Sequence, residues 1–337
     1  MKRKHWPTVT FVTPTLNSGG IIRECIESIK NLSYPKSALR MYIMDDGSTD
    51  DTQSIVQEYP FCTFFSVKTS GPEEATAIGF NHATTDYVVN FSSDNIITDK
   101  KWLYKTLRPL EENGNTIACE PIEYQHMWSD KLLNRYFALF GMNDPVAFYL
   151  KKRDRRAHYE SGWHLPTRAV NHNSYYETNF TKENMPTLGA NGFLIRTKMI
   201  QEVTKDARKY SHIDACIDLL NLGYSQYAFV KTTIWHKSGE SLFHYFYKRR
   251  RYALELYFKK KHNRRYHLYY PSRDRLKLVL YVIYSLTGVE PLMRSIRGYA
   301  AIQDPAWFLH PIVCFLTTVN YFLVVLKFRI HKATGRY

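Results

Sequence analysis

Through its first hundred residues the chain alternates short apolar runs with amphipathic stretches. Thr8 to Thr13 is a β-branched run that opens into Pro14-Thr15-Leu16-Asn17-Ser18-Gly19-Gly20, a strand signature followed by turn chemistry. Ile21, Ile22, Cys25, Ile26 and Ile29 then recur at helical spacing, and Tyr34-Pro35 closes that element. Met41 to Met44 is a short apolar run that stops at Asp45-Asp46-Gly47-Ser48. The pattern next predicts a helix over 49–59, a strand over 63–67, a helix over 73–83 and an apolar strand over 87–91 that ends in Ser92-Ser93-Asp94-Asn95. Strands joined by helical crossovers imply an α/β fold with a mostly parallel sheet. Ligands of such sheets sit beyond the carboxyl ends of the strands, and the polar turns at Asn17, Asp45-Asp46 and Asp94 all fall at that edge.

The pattern is less regular from about 120 to 230. A helix is predicted over 132–140, a Gly189-Ala190-Asn191-Gly192 turn inside 185–196, a helix over 213–222 stopped by Gly223, and a strand over 227–235 ending at His236. Lys151-Lys152-Arg153-Asp154-Arg155-Arg156 is a local basic cluster, expected to border an acceptor site. The last third changes character. Residues 305–326 carry no charged side chain over 22 positions, against about 20 needed to cross a bilayer. The run 278–289 is uncharged for only 12 positions, which suits an interfacial or re-entrant helix better.

Charge sharpens this division. The net charge of +15 is confined to residues 231–337, where 20 Lys and Arg face 5 Asp and Glu, while residues 1–230 hold 26 of each. A balanced body with a basic, aromatic tail points to a soluble domain held against an anionic surface. Lys248-Arg249-Arg250-Arg251 and Lys259-Lys260-Lys261, with Tyr245, Phe246, Tyr252, Tyr257 and Phe258 among them, form a basic-aromatic belt suited to anionic headgroups or a lipid-linked pyrophosphate. The balanced body argues against nucleic acid as a partner. The five cysteines are scattered and never form a C-x-x-C pair, which argues against a disulfide framework. The apolar run after Lys2-Arg3-Lys4 is too short for a signal peptide, so the large domain is expected on the cytoplasmic face of a membrane.

Four segments together resemble the family 2 glycosyltransferases of GT-A fold: Phe11 to Asn17, Ile43 to Asp50, Gly71 to Tyr87 with small residues at Ala75, Gly79 and Ala83, and Ser92 to Asn95. The likeness is strong over 8–100, moderate over 185–240 and weak in the tail. It implies a Rossmann-like nucleotide-diphospho-sugar transferase domain over 1–240, with a donor half at about 8–100 and an acceptor half at about 120–240. Residues 241–337 would be a basic, helical membrane-association region. The implied activity is inverting transfer of a sugar from a UDP- or GDP-linked donor to a lipid-linked or glycan acceptor.

The resemblance also assigns roles. Pro14, Thr15, Asn17, Asp45, Asp46, Ser48, Ser93, Gly189 and Asn191 would bind the donor, with Asp46 accepting from base or ribose and Gly47 letting the backbone come close. Asp94 matches the second Asp of a D-x-D motif for Mg²⁺ or Mn²⁺, which would compensate the departing diphosphate. Ser92 replaces the first Asp and would act through its hydroxyl or a bound water. His236 falls where some relatives supply a further ligand. The family's acidic pair, counted back from Gly223, falls on Ser211 and His212, so the base is expected at Asp214, with Asp218 next. Thr76 and Ala77 stand where Arg-Asn is common. These departures leave a second class open, a catalytically degenerate subunit that binds nucleotide-sugar or glycan in a membrane complex. A sugar nucleotidyltransferase ranks third, because the loop at 17–20 lacks the basic residue that a phosphate loop carries.

Overall fold

The computed structural model describes residues 6–238, 241–254 and 264–334. In chain order the first elements are β1 (Val9–Thr15), α1 (Gly19–Lys30), β2 (Leu39–Asp45), α2 (Thr52–Gln57), β3 (Cys62–Ser66), α3 (Pro72–His82), β4 (Tyr87–Asn90) and β5 (Asn95–Ile96). They continue with α4 (Trp102–Glu112), β6 (Ala118–Tyr124), α5 (Leu132–Phe140), α6 (Pro145–Tyr149), β7 (Ala169–Asn171), β8 (Tyr175–Asn179) and β9 (Phe193–Arg196). The last are α7 (Thr197–Val203), α8 (His212–Asn221), β10 (Gln226–His236), α9 (Leu242–Leu254), α10 (Pro271–Thr287), α11 (Val289–Ala301) and α12 (Leu309–Ala333). The chain divides into two compact units, Met1–Gln125 with Pro166–Lys237, and His126–Leu165 with Ser238–Tyr337.

In the first unit the strands form a sheet ordered β3-β2-β1-β4-β9-β6-β10-β8-β7, with β5 pairing β10 off this path. The half β3-β2-β1-β4 is parallel throughout, as is β6 with β10, and the remaining pairings are antiparallel. The β1 run reads apolar on both faces because it is central and covered on both sides: Val9, Phe11 and Val12 are fully buried. Phe11 meets Phe91 edge to face at 5.4 Å and lies near Trp102 of α4. α3 packs on β1 and β2 through Gly79, where a Cβ would come within 2.4 Å of Val12. The small residues of this helix therefore set how closely it sits on the sheet.

The helix expected over 49–59 is shorter in the structure. Asp50 folds its carboxylate onto the Thr52 N–H and hydroxyl, so 49–51 become the turn that leads into α2.

The second unit is helical among the described residues, and its division from the first differs from a cut at 240. Residues 126–165, expected with the acceptor half, pack with the C-terminal helices because the apolar face of α5 needs a partner. Leu133, Tyr136, Phe137 and Phe140 form one buried cluster with Phe148, Tyr245, Trp307 and Val313. Asp304 is fully buried, accepts from the Ala306 N–H at 2.8 Å, and faces His126 Nε2 at 2.7 Å and Arg135 Nε at 3.0 Å.

The cluster at 151–156 is not a solvated basic face. Lys152, Arg153 and Arg155 are buried, with Lys152 3.3 Å from Asp274 and Arg153 paired with Glu160. Tyr245 likewise leaves the expected belt for the core, and Arg249 lies 3.6 Å from Asp144. Arg250, Arg251 and Tyr252 remain exposed. Tyr257, Phe258, Lys259, Lys260 and Lys261 lie outside the described residues.

Pro305–His331 is long and apolar enough to cross a membrane and shows Ile312, Phe315, Phe322 and Val325 on its surface. The shorter apolar run at 278–289 is broken at Gly288, where α10 and α11 bend by 81°.

Candidate active site

β1 and β2 end side by side, with Thr15 opposite Asp45 and the Asp46 N–H donating to the Thr15 carbonyl at 3.0 Å. The two acids after β2 do different work. Asp45 is 3% exposed, and its carboxylate accepts from the Thr15 hydroxyl (3.1 Å), the Ser48 hydroxyl, and the Gly47 and Ser48 N–H groups (3.2 and 2.9 Å). It holds the turn closed. Asp46 is half-buried and accepts one bond, from the Thr69 N–H at 2.8 Å on the loop before α3, which leaves capacity for a ligand among the described residues.

The Asn17 loop is tied to this turn. Asn17 adopts φ 50°, which Asn tolerates better than most side chains. Its N–H donates to the Ser48 hydroxyl at 2.8 Å and its amide oxygen accepts from the Thr49 N–H at 2.9 Å. Asp50 reaches back to the Gly19 N–H at 2.8 Å. The Thr52 hydroxyl and then that N–H hold the Asp50 carboxyl below its ordinary range.

The third turn joins the same edge. Ser93 and Ser18 share a hydrogen bond at 3.2 Å. β5 pairs antiparallel with the end of β10, His236 opposite Asn95, and the Lys237 N–H donates to the Asp94 carbonyl at 2.8 Å. This register brings Asp94 Oδ2 to 3.2 Å from His236 Nε2. Adjacent ligands of one octahedral Mg²⁺ or Mn²⁺ lie about 3 Å apart, so the pair fits one coordination sphere. Among the described residues no group of three His, Cys, Asp or Glu side chains is gathered. An oxygen and an imidazole from the protein, with diphosphate oxygens and water for the rest, is a donor set such an ion accepts.

The Gly189-Ala190-Asn191-Gly192 turn closes the arrangement. The Gly189 carbonyl accepts from the Asn90 amide at 2.7 Å, and the Gly189 N–H donates to Glu120 at 2.7 Å. Asn191 is 8% exposed, taking a bond from Asn95 at 3.3 Å and giving one to the Tyr124 hydroxyl at 3.2 Å. Its amide thus braces the turn, where a sugar contact is expected from sequence. Gly189, at φ 103°, backs onto the start of α8, and a Cβ there would lie 2.7 Å from the His212 carbonyl.

The two expected bases sit differently from each other. Asp214 is 2% exposed, in the first turn of α8, while Asp218 one turn on is half-buried. Burial above all, then the charge of Glu120 and lastly those of Asp214 and Asp218, push the Cys216 thiol up. Asp214 is thus buried within the first unit, and Asp218 is partly open. His212, one turn ahead of Cys216, meets Glu73 of α3.

Pro14 and Thr15 are strand residues, and Ser92 and Ser93 are half-buried on the third turn. The structure thus gathers Thr15, Asn17, Asp45, Asp46, Ser48, Ser92, Ser93, Asp94, Gly189, Asn191 and His236 along one edge of the first unit. Sequence reading missed Glu73, Asn90, Asn95, Glu120 and Tyr124. Glu73 carried the signal of an acid in a first helical turn, which usually means only a favourable charge near a helix N-terminus.

A Rossmann-like sheet whose parallel strands end in bridged acidic and amide-bearing turns defines the GT-A class. The chain belongs to glycosyl transferase family 2, whose sequence profile matches residues 10–204. It is 30% identical over 100 residues to the probable glycosyltransferase YdaM of Bacillus subtilis, which covers 27% of this chain and 24% of that protein. It is 26% identical over 159 residues to the chondroitin synthase of Escherichia coli, covering 41% of this chain and 23% of that protein. The chain thus spans about a quarter of the length of these relatives. A mannosyltransferase from Pyrobaculum calidifontis, solved in complex with GDP-Man and Mn²⁺, shares the fold: its TM-score is 0.51, at 14% identity, covering 94% of this chain and 87% of that one.

Proposed function

We propose that this chain transfers a sugar from a UDP- or GDP-linked donor to a lipid-linked or glycan acceptor at the cytoplasmic face of a membrane, by a single inverting displacement. The meeting of three turns on one edge, with Asp94 3.2 Å from His236, carries this reading. Asp46 and Asn17 would receive the nucleoside, with Ser93 near the phosphates, and Asp45 and Ser48 would act by holding the turn in shape. Asp94 and His236, with Ser92 through its hydroxyl or a water, would hold Mg²⁺ or Mn²⁺. The ion when bound would supply positive charge to the leaving diphosphate. The mannosyltransferase with GDP-Man and Mn²⁺ supports the donor class and the metal. The exposed apolar surface of Pro305–His331, with Arg250 and Arg251 exposed on α9, supports an anionic membrane as the place of work.

A thermal-shift panel of nucleoside diphosphates with Mg²⁺, Mn²⁺ or EDTA tests the reading. One diphosphate is expected to stabilise the protein only when a metal is present, by about 2.7 kcal/mol at a hundredfold excess over its Kd. Mn²⁺ should exceed Mg²⁺, because imidazole is a poor donor to the harder ion. Equal shifts in EDTA would remove the metal from the reading, and no shift from any diphosphate would remove the donor. Binding without diphosphate release from any donor sugar would favour a degenerate binding subunit.

The membrane part is checked separately by sedimentation with vesicles. The full chain should pellet with phosphatidylserine-containing vesicles, and Arg250→Glu/Arg251→Glu should weaken binding by about 2 kcal/mol or more, at roughly 1 kcal/mol per basic residue near a charged leaflet. Binding that ignores both lipid charge and these substitutions would refute an anionic surface.

A further inference from the structure

We propose that His212 is the general base of the transfer, held by Glu73 as a positioning residue, in place of a carboxylate base. This rests on the glycosyl-transfer reading and names the group that takes the acceptor's proton. Glu73, in the first turn of α3, accepts from the His212 N–H at 2.9 Å through one oxygen and meets the ring Nδ1 at 2.5 Å through the other. A two-point grip of this kind fixes both the start of α8 and the plane of the ring. With Nδ1–H turned to the carboxylate, the ring's basic lone pair is on Nε2. The His212 side chain is 29% exposed, whereas Asp214 on the same helix is 2% exposed.

The start of α8 lies against the turn that closes the candidate site. Gly189 has no side chain where α8 begins, so the turn that lies against Asn90 and Asn95 also lies against His212. Asn95 follows Asp94 in the chain, so a line of contacts runs from Asp94 through Asn95, Asn191 and Gly189 to the backbone at the start of α8. Charged groups on the adjoining elements are Asp214 and Asp218 on the same helix, Arg208 and the Lys209–Asp206 pair just before it, and Glu74 on α3, which lies 3.9 Å from Arg208.

In the step itself the acceptor oxygen attacks the anomeric carbon, and the bond from that carbon to the diphosphate oxygen breaks. The nucleoside diphosphate leaves with the electron pair. The hydroxyl proton passes to His212 Nε2, and Glu73 stabilises the imidazolium until the proton is lost to solvent.

The test uses the full chain with Mn²⁺, UDP-GlcNAc and GDP-mannose, and water as acceptor, read as release of nucleoside diphosphate. His212→Asn should lower release about 10²- to 10⁴-fold while keeping the thermal stabilisation by the diphosphate with Mn²⁺. His212→Asp should recover part of the rate, with the acidic limb of its pH profile moved down by about two to three units, the distance from an ordinary imidazole to an ordinary aspartate. Glu73→Gln should lower kcat with KM unchanged, since the ring loses the carboxylate that fixes its plane while the donor site keeps its own contacts. An unchanged rate in His212→Asn beside a collapsed rate in Asp214→Asn or Asp218→Asn overturns the assignment. A wild-type chain that releases diphosphate from neither donor overturns the glycosyl-transfer reading beneath it.

Discussion

Asp94→Ala is expected to lower diphosphate release by about 10³-fold and to abolish the metal-dependent part of nucleotide binding. The ion's charge on a departing diphosphate is worth several kcal/mol, and about 4 kcal/mol corresponds to three decades of rate. Asp94 contributes the one negative charge of the Asp94–His236 pair, so on the proposed reading its loss would leave an imidazole to hold Mn²⁺ or Mg²⁺, weakly. His236→Ala removes a neutral donor and should cost less, about ten- to a hundredfold. Ser92→Asp restores the charge that the D-x-D pattern has two residues earlier and should raise Mn²⁺ affinity about tenfold. Metal titration of the three variants with a fixed diphosphate measures all of this. If the pair were only a structural ion pair, Asp94→Ala would lower the melting temperature without metal and leave the metal dependence of binding intact.

The strands and crossover helices of the parallel half were legible because each is set by local pattern, while the pairing of β1 with β4 joins positions far apart. β-branched runs, crossover helices and turn residues follow one another within 15 to 25 positions, and each strand's carboxyl end follows from its direction. The edge along which Asn17, Asp46 and Asp94 meet needed no more than that. The partition between Asp45 and Asp46 was not legible, since adjacent strand and turn positions differ by which face they point to, and the register of β1 against β2 decides it. The His212–Glu73 pair links positions 139 apart in the chain. No periodicity joins α3 to α8, and what brings them together is tertiary: α7 packs against both. The grouping of 126–165 with the C-terminal helices was hidden for a similar reason: an apolar helix face such as that of α5 announces that it needs a partner, never which one.

Asp45 and Asp46, adjacent in sequence, should fail in opposite ways. Asp45→Ala removes a buried carboxylate that four donors converge on, leaving the Thr15 hydroxyl and the Gly47 and Ser48 N–H groups without their acceptor. Hydrogen bonds to a charged group are worth about 1.5–3 kcal/mol each, and the cost of orphaning buried donors adds to that, so a loss of about 3–5 kcal/mol of stability is expected. Asp45→Asn keeps the volume and one acceptor oxygen, and should lose about half as much. Asp46→Asn gives up only one acceptor role, toward the Thr69 N–H, in a half-buried position, and its stability should change by less than about 1 kcal/mol. Its loss should appear in binding, with nucleoside diphosphate affinity about ten- to a hundredfold weaker, because a charge-assisted bond to base or ribose is replaced by a neutral one. Denaturant midpoints and diphosphate titrations on the two variants separate the roles. A stable Asp45→Ala chain that has lost nucleotide binding, beside an Asp46→Asn chain that binds normally, would exchange the two assignments and place the nucleoside against β1 instead of the loop before α3.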